Sequence, residues 1–305
     1  MAKPGRVQTA LEYGATRSLI AILGLLPPSV AMALGQQIGN LAFVLAGNLR
    51  KTGQRNLELA FPEKDEKERT EILRGCFRNL GRALGVFSQM STKSAETLRK
   101  LLRPQGLEHI ELAKSDGKGL ILYTAHLGAW ELTSFGLSLL GYPFSFLVRR
   151  VDNPEVEEFI DRTRMRFGNQ TMDKVSAARS MVKVLRSGEV LGLLLDLNTL
   201  DDEGIFVDFF GVPASTNFVV AKLALRTGSP IIPLFAPWDA DSKKFLLKAH
   251  PPLLGESTGD EEADIRRLTE KLTLVIENEI RRYPDQWLWI HKRWKTRPPG
   301  EPSIY

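Results

Sequence analysis

Two periodicities of apolar and polar residues run along the chain. Apolar residues at three- and four-residue steps predict helices between residues 49 and 90, interrupted at Pro62. Short apolar runs predict strands at 119–124, 144–150, 189–196, 230–236 and 244–253. Helical patterns lie at 129–140, 154–167, 177–186, 217–226 and 260–284. This alternation predicts an α/β fold whose mixed, largely parallel sheet is flanked by helices.

The amino-terminal segment has a different pattern, because no Asp, Glu, Lys or Arg occurs between Arg17 and Arg50. A membrane span needs about 20 apolar residues, and Pro27-Pro28 interrupts this run. Two shorter apolar helices are therefore expected, either packed in a core or partly inserted in a membrane beside basic residues at 50, 51 and 55. We favour a membrane-associating helical arm over residues 1–60, followed by one α/β domain over 61–305.

Composition and charge narrow the classes of function. The 305 residues carry a net charge of +5, which permits an acidic protein, an anionic membrane or a phosphorylated ligand as partner. No strongly basic tract indicates nucleic acid, so none is expected. The single cysteine, Cys76, excludes a disulfide within the chain and a cysteine-based metal cluster, and with only four histidines no metal site is expected.

Several common catalytic motifs are absent: G-x-S-x-G, the P-loop, G-x-G-x-x-G after a strand, and H-E-x-x-H. The leading enzymatic hypothesis is therefore a mechanism without a covalent nucleophile, metal or redox cofactor.

His126 and Glu131 lie five positions apart, just after the first predicted strand. On an unbroken helix five residues turn roughly 500°, which would point the two side chains about 140° apart. They can meet if His126 lies in a loop opened by Gly128 and Glu131 in the first turn of the next helix. Such a pair predicts a general base that activates a substrate hydroxyl. The alternative is a capping histidine beside a glutamate that the helix dipole favours.

Blocks of sequence along most of the chain resemble one family. "AHLGAWEL" resembles the His-x-x-x-x-acid motif of the glycerolipid acyltransferase superfamily, and its Glu is similar to that of the lipid A biosynthesis (lauroyl/myristoyl) acyltransferases. Further blocks similar to that family follow in its order: "NLELAFPE", "CFRNLGRAL", "LVRRVDNPEVEEFIDRTRMRFGN", "LLDLNTLDDEGIFVDFFGVPASTN", "RTGSPIIPLF" and "YPDQWLWIHKRWKTRPPGEPSIY". Asn198 and Leu200 fall in a variable region of the third block that is often more polar, which affects the expected acceptor rather than the reaction.

The resemblance implies roles for single residues. His126 is expected to be the general base and Glu131 the carboxylate that orients it. Arg149, which precedes Asp-Asn-Pro, is expected to hold an acceptor phosphate or the charge developing on a thioester oxygen, or else to pair with Asp152 or Glu155.

The third block and the carboxyl-terminal tail supply the other expected contacts. Asp196 ends a predicted strand, where α/β sheets place ligand-binding groups, and is expected to position the arginine or the acceptor, or else to cap a turn. Asn198 is expected to contact substrate. Phe210 is expected to line an acyl path or to lie in the core, and Thr216 to touch substrate or to cap the next helix. The aromatic and basic tail at 287–295 is expected to face headgroups or an acidic carrier protein, and His291 within it is expected to be structural or interfacial rather than catalytic.

The implied function is membrane-bound acyl transfer. A fatty acyl chain would pass from acyl carrier protein, or less favourably coenzyme A, to a hydroxyl of a lipid A precursor at the cytoplasmic face of the inner membrane, without a cofactor. Residues 61–305 would then form the acyltransferase domain. Alternatives are another glycolipid or aminolipid acceptor, a thioesterase that uses the same His-Glu pair, and a non-catalytic lipid-binding protein.

Overall fold

The amino-terminal part of the chain is helical in this computed structural model, which describes residues 6–148, 150–173, 177–200 and 204–305. Four helices follow one another: α1 (Arg6–Leu25), α2 (Pro28–Leu45), α3 (Gly47–Ala60) and α4 (Glu66–Thr92). Pro28 is the first residue of α2, where a missing N–H costs nothing, so the proline pair separates two helices as predicted. Asp65 caps α4 reciprocally with Glu68.

Helices α2 and α4 touch backbone to backbone because glycines face each other along their contact. A Cβ atom at Gly35 would lie 2.1 Å from the carbonyl oxygen of Gly81, and one at Gly39 would lie 2.1 Å from that of Phe77. A larger residue at either position would force the helices apart. The apolar segment predicted from the sequence is therefore packed closely on the first helix of the following region.

The outer sides of these helices are apolar. Most of the large apolar side chains that the described residues expose lie on α1, α2 and α3: Leu11, Leu19, Ile22, Leu25, Val30, Leu34, Ile38, Leu41, Val44, Leu45 and Leu49. Within the described ranges, no single helix has the length and apolar character of a membrane span. Helices α2 and α3 reach that threshold only together, and they are bent by 91° where they join.

The rest of the chain alternates strands and helices. In chain order these are α5 (Ala95–Arg99), β1 (Leu102–Gln105), α6 (Leu107–Ser115), β2 (Leu120–Thr124), α7 (Glu131–Leu139), β3 (Ser145–Val148), α8 (Pro154–Arg164), β4 (Gln170–Asp173), α9 (Ala177–Arg186), β5 (Val190–Leu194), β6 (Gly204–Phe209), β7 (Val212–Asn217), α10 (Val219–Thr227), β8 (Ile231–Phe235), β9 (Trp238–Asp239), β10 (Lys244–Ala249) and α11 (Glu261–Arg282). The five predicted strands are present within a few residues, and β1, β4, β6, β7 and β9 were not predicted.

The main sheet has the strand order β1-β10-β8-β2-β5-β3-β4, and β9 pairs with β10. All neighbours on this path are parallel except β10 and β8, and β9 is antiparallel to β10. One face packs against α9, α10 and α11 through residues such as Ile121 and Leu191. The other face packs against α6 and α7 through residues such as Leu122 and Ile232. The predicted fold class, a mixed and largely parallel sheet flanked by helices, is confirmed.

Strands β6 and β7 form a separate antiparallel hairpin with a two-residue turn. Phe210 and Gly211 form that turn with φ values of +56° and +74°, the signs required by a type I′ turn. Glycine adopts this conformation freely, whereas Phe210 is held in it by packing. Its ring contacts the rings of Phe61 and Trp289, and its N–H donates to the Glu277 carboxylate.

The carboxyl-terminal tail lies largely in the core. Trp287, Trp289 and Trp294 are almost fully buried, and the buried guanidinium of Arg293 donates to the Ser215 carbonyl. The expectation that these aromatic residues face lipid headgroups or a carrier protein is therefore wrong. Large rings with a single N–H donor are suited to a buried position that offers one acceptor, and sequence alone does not distinguish this from an interface.

Candidate active site

His126 and Asp196 come together because of the strand register. Strands β2 and β5 are parallel neighbours, and Thr124 pairs with Leu194 at their carboxyl ends. His126 and Asp196 each lie two residues beyond that pair. The His126 Nδ1 atom is 2.6 Å from Asp196 Oδ1, and the His126 backbone N–H donates to Asp196 Oδ2 at 2.8 Å. The carboxylate therefore fixes both the ring and the backbone of the histidine.

Asp196 is buried, with 2 % of its surface exposed, and it accepts a third hydrogen bond from the indole N–H of Trp287 at 2.7 Å. Burial alone favours the neutral carboxyl. The charge and hydrogen bonds of His126, together with the Trp287 donor, outweigh it and lower the pKa of Asp196 below its ordinary value. The carboxylate is thus ionised at neutral pH and favours a proton on the His126 Nδ1 atom. Within the described residues no hydrogen bond involves the His126 Nε2 atom, which is left for a substrate.

The loop that carries His126 is held by the tail and by β8. The His126 carbonyl accepts from the Leu288 N–H, and the Gly128 N–H donates to the Gln286 carbonyl. Gly128 has φ of +67°, and a Cβ atom there would lie 2.1 Å from the carbonyl oxygen of Ala236. Only glycine fits this approach. The turn predicted at Gly128 is present, although it places His126 beside Asp196 and not beside Glu131.

Glu131 binds a different partner from the one predicted. It is the first residue of α7, and its two carboxylate oxygens accept from Arg164 Nε at 3.0 Å and from an Arg164 terminal nitrogen at 2.7 Å. This bidentate pair joins the start of α7 to the end of α8. The predicted contact between Glu131 and His126 is therefore wrong in this structure, because the register of the sheet supplies Asp196 as the closer carboxylate. Burial alone would lower the pKa of Arg164. The charge and hydrogen bonds of Glu131, together with the charges of Asp161 and Glu157, outweigh burial and raise that pKa, so the guanidinium stays charged.

His126 and both members of the Glu131–Arg164 pair line one cavity of about 390 Å³, and Asp196 lies buried behind His126. Its polar end is lined by Thr124, His126, Glu131, Arg164, Asn198 and His291. Its other end runs along the face of the sheet and is lined by side chains such as Leu122, Phe144, Phe146 and Leu234. A long apolar chain with a polar reacting end matches this division.

The other predicted site residues are distributed unevenly. Asn198 lines the cavity, and it also ties the loop after β5 to the tail, because its side chain donates to the Thr296 hydroxyl and accepts from the Thr296 N–H. Phe210 lies in the core and Thr216 is buried in β7, where it accepts from Arg293; neither lines the cavity. Thr216 does not cap α10, because the side chain of Asn217 accepts from its first N–H. Arg149 lies outside the described residues.

Three residues near the polar end of the cavity were not predicted from the sequence as parts of the site. Arg164 is one of three arginines in the stretch 162–166, and nothing in its local pattern singled it out. Trp287 was assigned to an interface. His291 was expected to be structural or interfacial, and it lines the cavity, with its Nδ1 atom buried and without a hydrogen-bond partner among the described residues. Burial lowers the pKa of His291 to about 4, so the ring is neutral at neutral pH.

Comparison with known proteins identifies the family. The family model described as "Bacterial lipid A biosynthesis acyltransferase" matches residues 9–296. The chain belongs to this family. The predicted family is therefore confirmed, and so is the class of enzyme, an O-acyltransferase.

Relatives of the lipid A biosynthesis acyltransferase family align over most of the chain. The chain is 30% identical to the lipid A biosynthesis palmitoleoyltransferase of Escherichia coli, over 92% of this chain and 90% of the relative. It is 25% identical to the myristoyltransferase of that organism, over 96% and 90% of the two chains. It is 29% identical to a lipid A biosynthesis acyltransferase of Haemophilus influenzae, over 83% and 77%. The named acyl groups differ among these relatives, so membership of the family does not fix chain length.

Proposed function

We propose that this acyltransferase moves a fatty acyl chain from a thioester of acyl carrier protein to a hydroxyl of a lipid A precursor. The observation that carries the proposal is the His126–Asp196 pair at the polar end of an apolar cavity. Since the relatives' names specify lipid A, that lipid is the acceptor class we favour.

In the proposed reaction the acceptor hydroxyl is the nucleophile. His126 Nε2 takes its proton as the oxygen attacks the thioester carbonyl, and Asp196 stabilises the imidazolium that forms. The tetrahedral intermediate then collapses, the C–S bond breaks, and the imidazolium returns the proton to the departing thiolate. The ester oxygen comes directly from the acceptor, so no acyl-enzyme forms.

Arg164 is proposed to stabilise the negative charge that develops on the thioester oxygen. Its guanidinium lines the same end of the cavity as His126, is mostly buried, and is held in place by the bidentate contact with Glu131. A fixed cation in a water-poor site interacts strongly with a charge that appears only in the transition state. Glu131 then acts through Arg164 rather than through His126.

Membrane association is proposed for the amino-terminal helices. The exposed apolar side chains of α1, α2 and α3 suit insertion at the lipid interface, and basic residues such as Lys51 on α3 suit anionic headgroups. We place the protein at the inner membrane with its active site facing the cytoplasm, because the acceptor is a lipid and the thioester donor is water-soluble. The net charge of +5 suits an acidic carrier protein as donor.

The experiment is a reaction of the purified full chain with acyl carrier protein thioesters and a tetraacylated lipid A precursor, followed by mass spectrometry. We expect the acceptor to gain one acyl group, and His126→Ala to abolish the gain while circular dichroism stays parental. Free fatty acid without acylated lipid would support a thioesterase instead. Acylation of a different glycolipid only would overturn the acceptor. Turnover by His126→Ala at the parental rate would overturn the mechanism.

A further inference from the structure

The apolar end of the cavity closes on one aromatic ring. Phe144 lies immediately before β3, and its ring lies over Gly192 in the middle of β5. A Cβ atom at Gly192 would be 2.4 Å from Phe144 Cε2 and 2.9 Å from the Cβ atom of Phe146. The ring therefore occupies the space that a side chain on β5 would otherwise take, and it forms the floor of the cavity at this point.

Phe144 is held firmly in this position. Its N–H donates to the side chain of Asn169, and its carbonyl accepts from the Gln170 N–H. Asn169 is buried and donates in turn to the carbonyls of Ser134 and Arg164. Both backbone groups of Phe144 are thus fixed, and the contact through Asn169 also reaches Arg164 at the reacting end of the cavity.

A second cavity, of about 320 Å³, lies beyond the ring. It is lined by Phe144 and by residues at the opposite ends of the strands, including Pro143, Gln170 and Glu189, which are exposed to solvent. Phe144 lines both cavities. Phe144 consequently lies between the apolar end of the first cavity and a second cavity whose lining includes exposed residues.

We propose that Phe144, seated in the gap left by Gly192, is the stop that sets the longest acyl chain the enzyme accepts. This inference rests on the proposed function, since it takes the buried cavity as the acyl site. Asp196, at the reacting end, lies four positions along the sequence from Gly192, beneath the ring, a span of at most about 13–14 Å, and the acyl chain runs along it from the reacting end to the ring. An acyl chain that is one methylene longer than the cavity contacts the ring. A hydrophobic pocket typically changes the relative rate of two substrates that differ by one methylene by roughly tenfold or more.

Two substitutions are expected to move the stop in opposite directions. Phe144→Leu opens the floor toward the second cavity, so the preferred chain becomes longer by two or more carbons, with at least about a tenfold gain for the longer donor relative to the parent's best. Gly192→Ala places a methyl group in the space of the ring, so the ring is displaced from the sheet into the cavity and the preferred acyl chain becomes shorter. The double variant removes two of the three closest contacts of the new methyl group, and its preference is expected to return toward that of the parent.

The test is a competition among even-chain thioesters from decanoyl to octadecanoyl on the purified full chain, read as the mass distribution of acylated lipid. Phe235→Leu is the matched control, because Phe235 is also buried but packs on the other face of the sheet, in the cluster that contains Ile121, and lines neither cavity. It is expected to lower thermal stability and leave the distribution unchanged. An unchanged distribution in both Phe144→Leu and Gly192→Ala, or a shift in the control as large as theirs, overturns the proposal.

A second readout separates this inference from the proposed acceptor. The same thioester series without any lipid acceptor gives the rate of slow hydrolysis for each chain length, and a tryptophan fluorescence titration with free fatty acids gives binding. If lipid A precursors are not acylated but both profiles shift as described, the stop stands and the acceptor assignment fails. If the parent acylates the precursor and neither profile shifts, the stop fails alone.

Discussion

Two pairs, each with one carboxylate, stand at the polar end of the cavity, and they are built differently. The His126–Asp196 pair stands at the ends of adjacent parallel strands, and its carboxylate is buried under three hydrogen bonds. The Glu131–Arg164 pair joins the ends of two helices, and a quarter of the Glu131 side chain is exposed. The sheet fixes the first pair through the register of its strands. The second depends on two side chains reaching each other.

This difference indicates different catalytic roles for the carboxylates of Asp196 and Glu131. A buried carboxylate beside an imidazole controls which nitrogen carries the proton, so Asp196 acts on proton transfer. A partly solvated carboxylate beside a guanidinium fixes the direction of a permanent charge, so Glu131 acts on electrostatic stabilisation. Separate substitutions in the two pairs therefore test whether Asp196 and Glu131 have these different roles.

The largest effect is expected from Asp196→Asn. An amide in place of the carboxylate removes the charge that stabilises the imidazolium and favours the wrong tautomer, and in a well-studied serine protease such a change lowers kcat about 10⁴-fold. We expect a loss of that order in the acyl-transfer assay, with near-parental KM for the thioester. Glu131→Gln is the matched control, with an expected loss of about 10- to 100-fold through Arg164. Equal losses in both variants, or a larger one in Glu131→Gln, would contradict the assignment.

The second effect is expected from Arg164→Ala. Loss of a group that stabilises the oxyanion typically lowers kcat by about 10²–10³-fold, and here it would also leave Glu131 without its partner. Arg162→Ala is the control on the same helix, because among the residues that the structure describes Arg162 makes only an exposed pair with Glu158. Its activity should stay within about twofold of the parent. If Arg164→Ala raises KM for the lipid acceptor and leaves kcat unchanged, the guanidinium binds substrate and does not stabilise the transition state.

The fold and single site residues such as His126 could be predicted from the sequence, but the contacts between site residues could not. Apolar runs and helical periodicity are local, and they located the strands that carry His126 and Asp196. Pairing is not local: the contact between these residues spans 70 positions and depends on the register of β2 with β5. Spacing within one short stretch therefore joined His126 to Glu131 instead. Trp287 was missed because a buried and an interfacial tryptophan have the same local sequence pattern.

A smaller effect is expected from Trp287→Phe, which removes one of the three donors to Asp196 and keeps most of the ring. A hydrogen bond to a charged group contributes about 1.5–3 kcal/mol, so we expect kcat to fall by about tenfold. The pKa of Asp196 should rise toward its ordinary value. The lowered pKa of Asp196 stabilises the folded protein at pH values above the ordinary carboxyl pKa, and this contribution is lost as the pH falls. The variant has a smaller contribution of this kind, so its acid unfolding should begin at higher pH.

Trp289→Phe is the control for that substitution. Trp289 is equally buried, but its indole N–H donates to the Pro284 carbonyl and not to the active site. It should lower stability and leave kcat nearly unchanged. A comparable fall in kcat in both variants would mean that the tail acts on the site through packing, and that the indole donor of Trp287 has no separate role.

The smallest effect concerns His291, which also lines the cavity. His126 is bonded to the Asp196 carboxylate, whereas the His291 Nδ1 atom has no hydrogen-bond partner among the described residues. Burial lowers the pKa of His291 to about 4 from an ordinary 6.5, so the unfolded chain binds a proton more readily than the folded one. Its contribution to stability is therefore complete above about pH 6.5 and is lost as the pH falls toward 4.

His291→Gln removes this loss. As the pH falls over this range, the free energy of unfolding of the variant should therefore rise relative to that of the parent by on the order of 2 kcal/mol. Urea unfolding at pH steps between these limits measures the gain. A difference between variant and parent that does not change with pH would show that His291 is protonated equally in the folded and unfolded states, and the contrast between the two histidines would then not depend on a carboxylate partner.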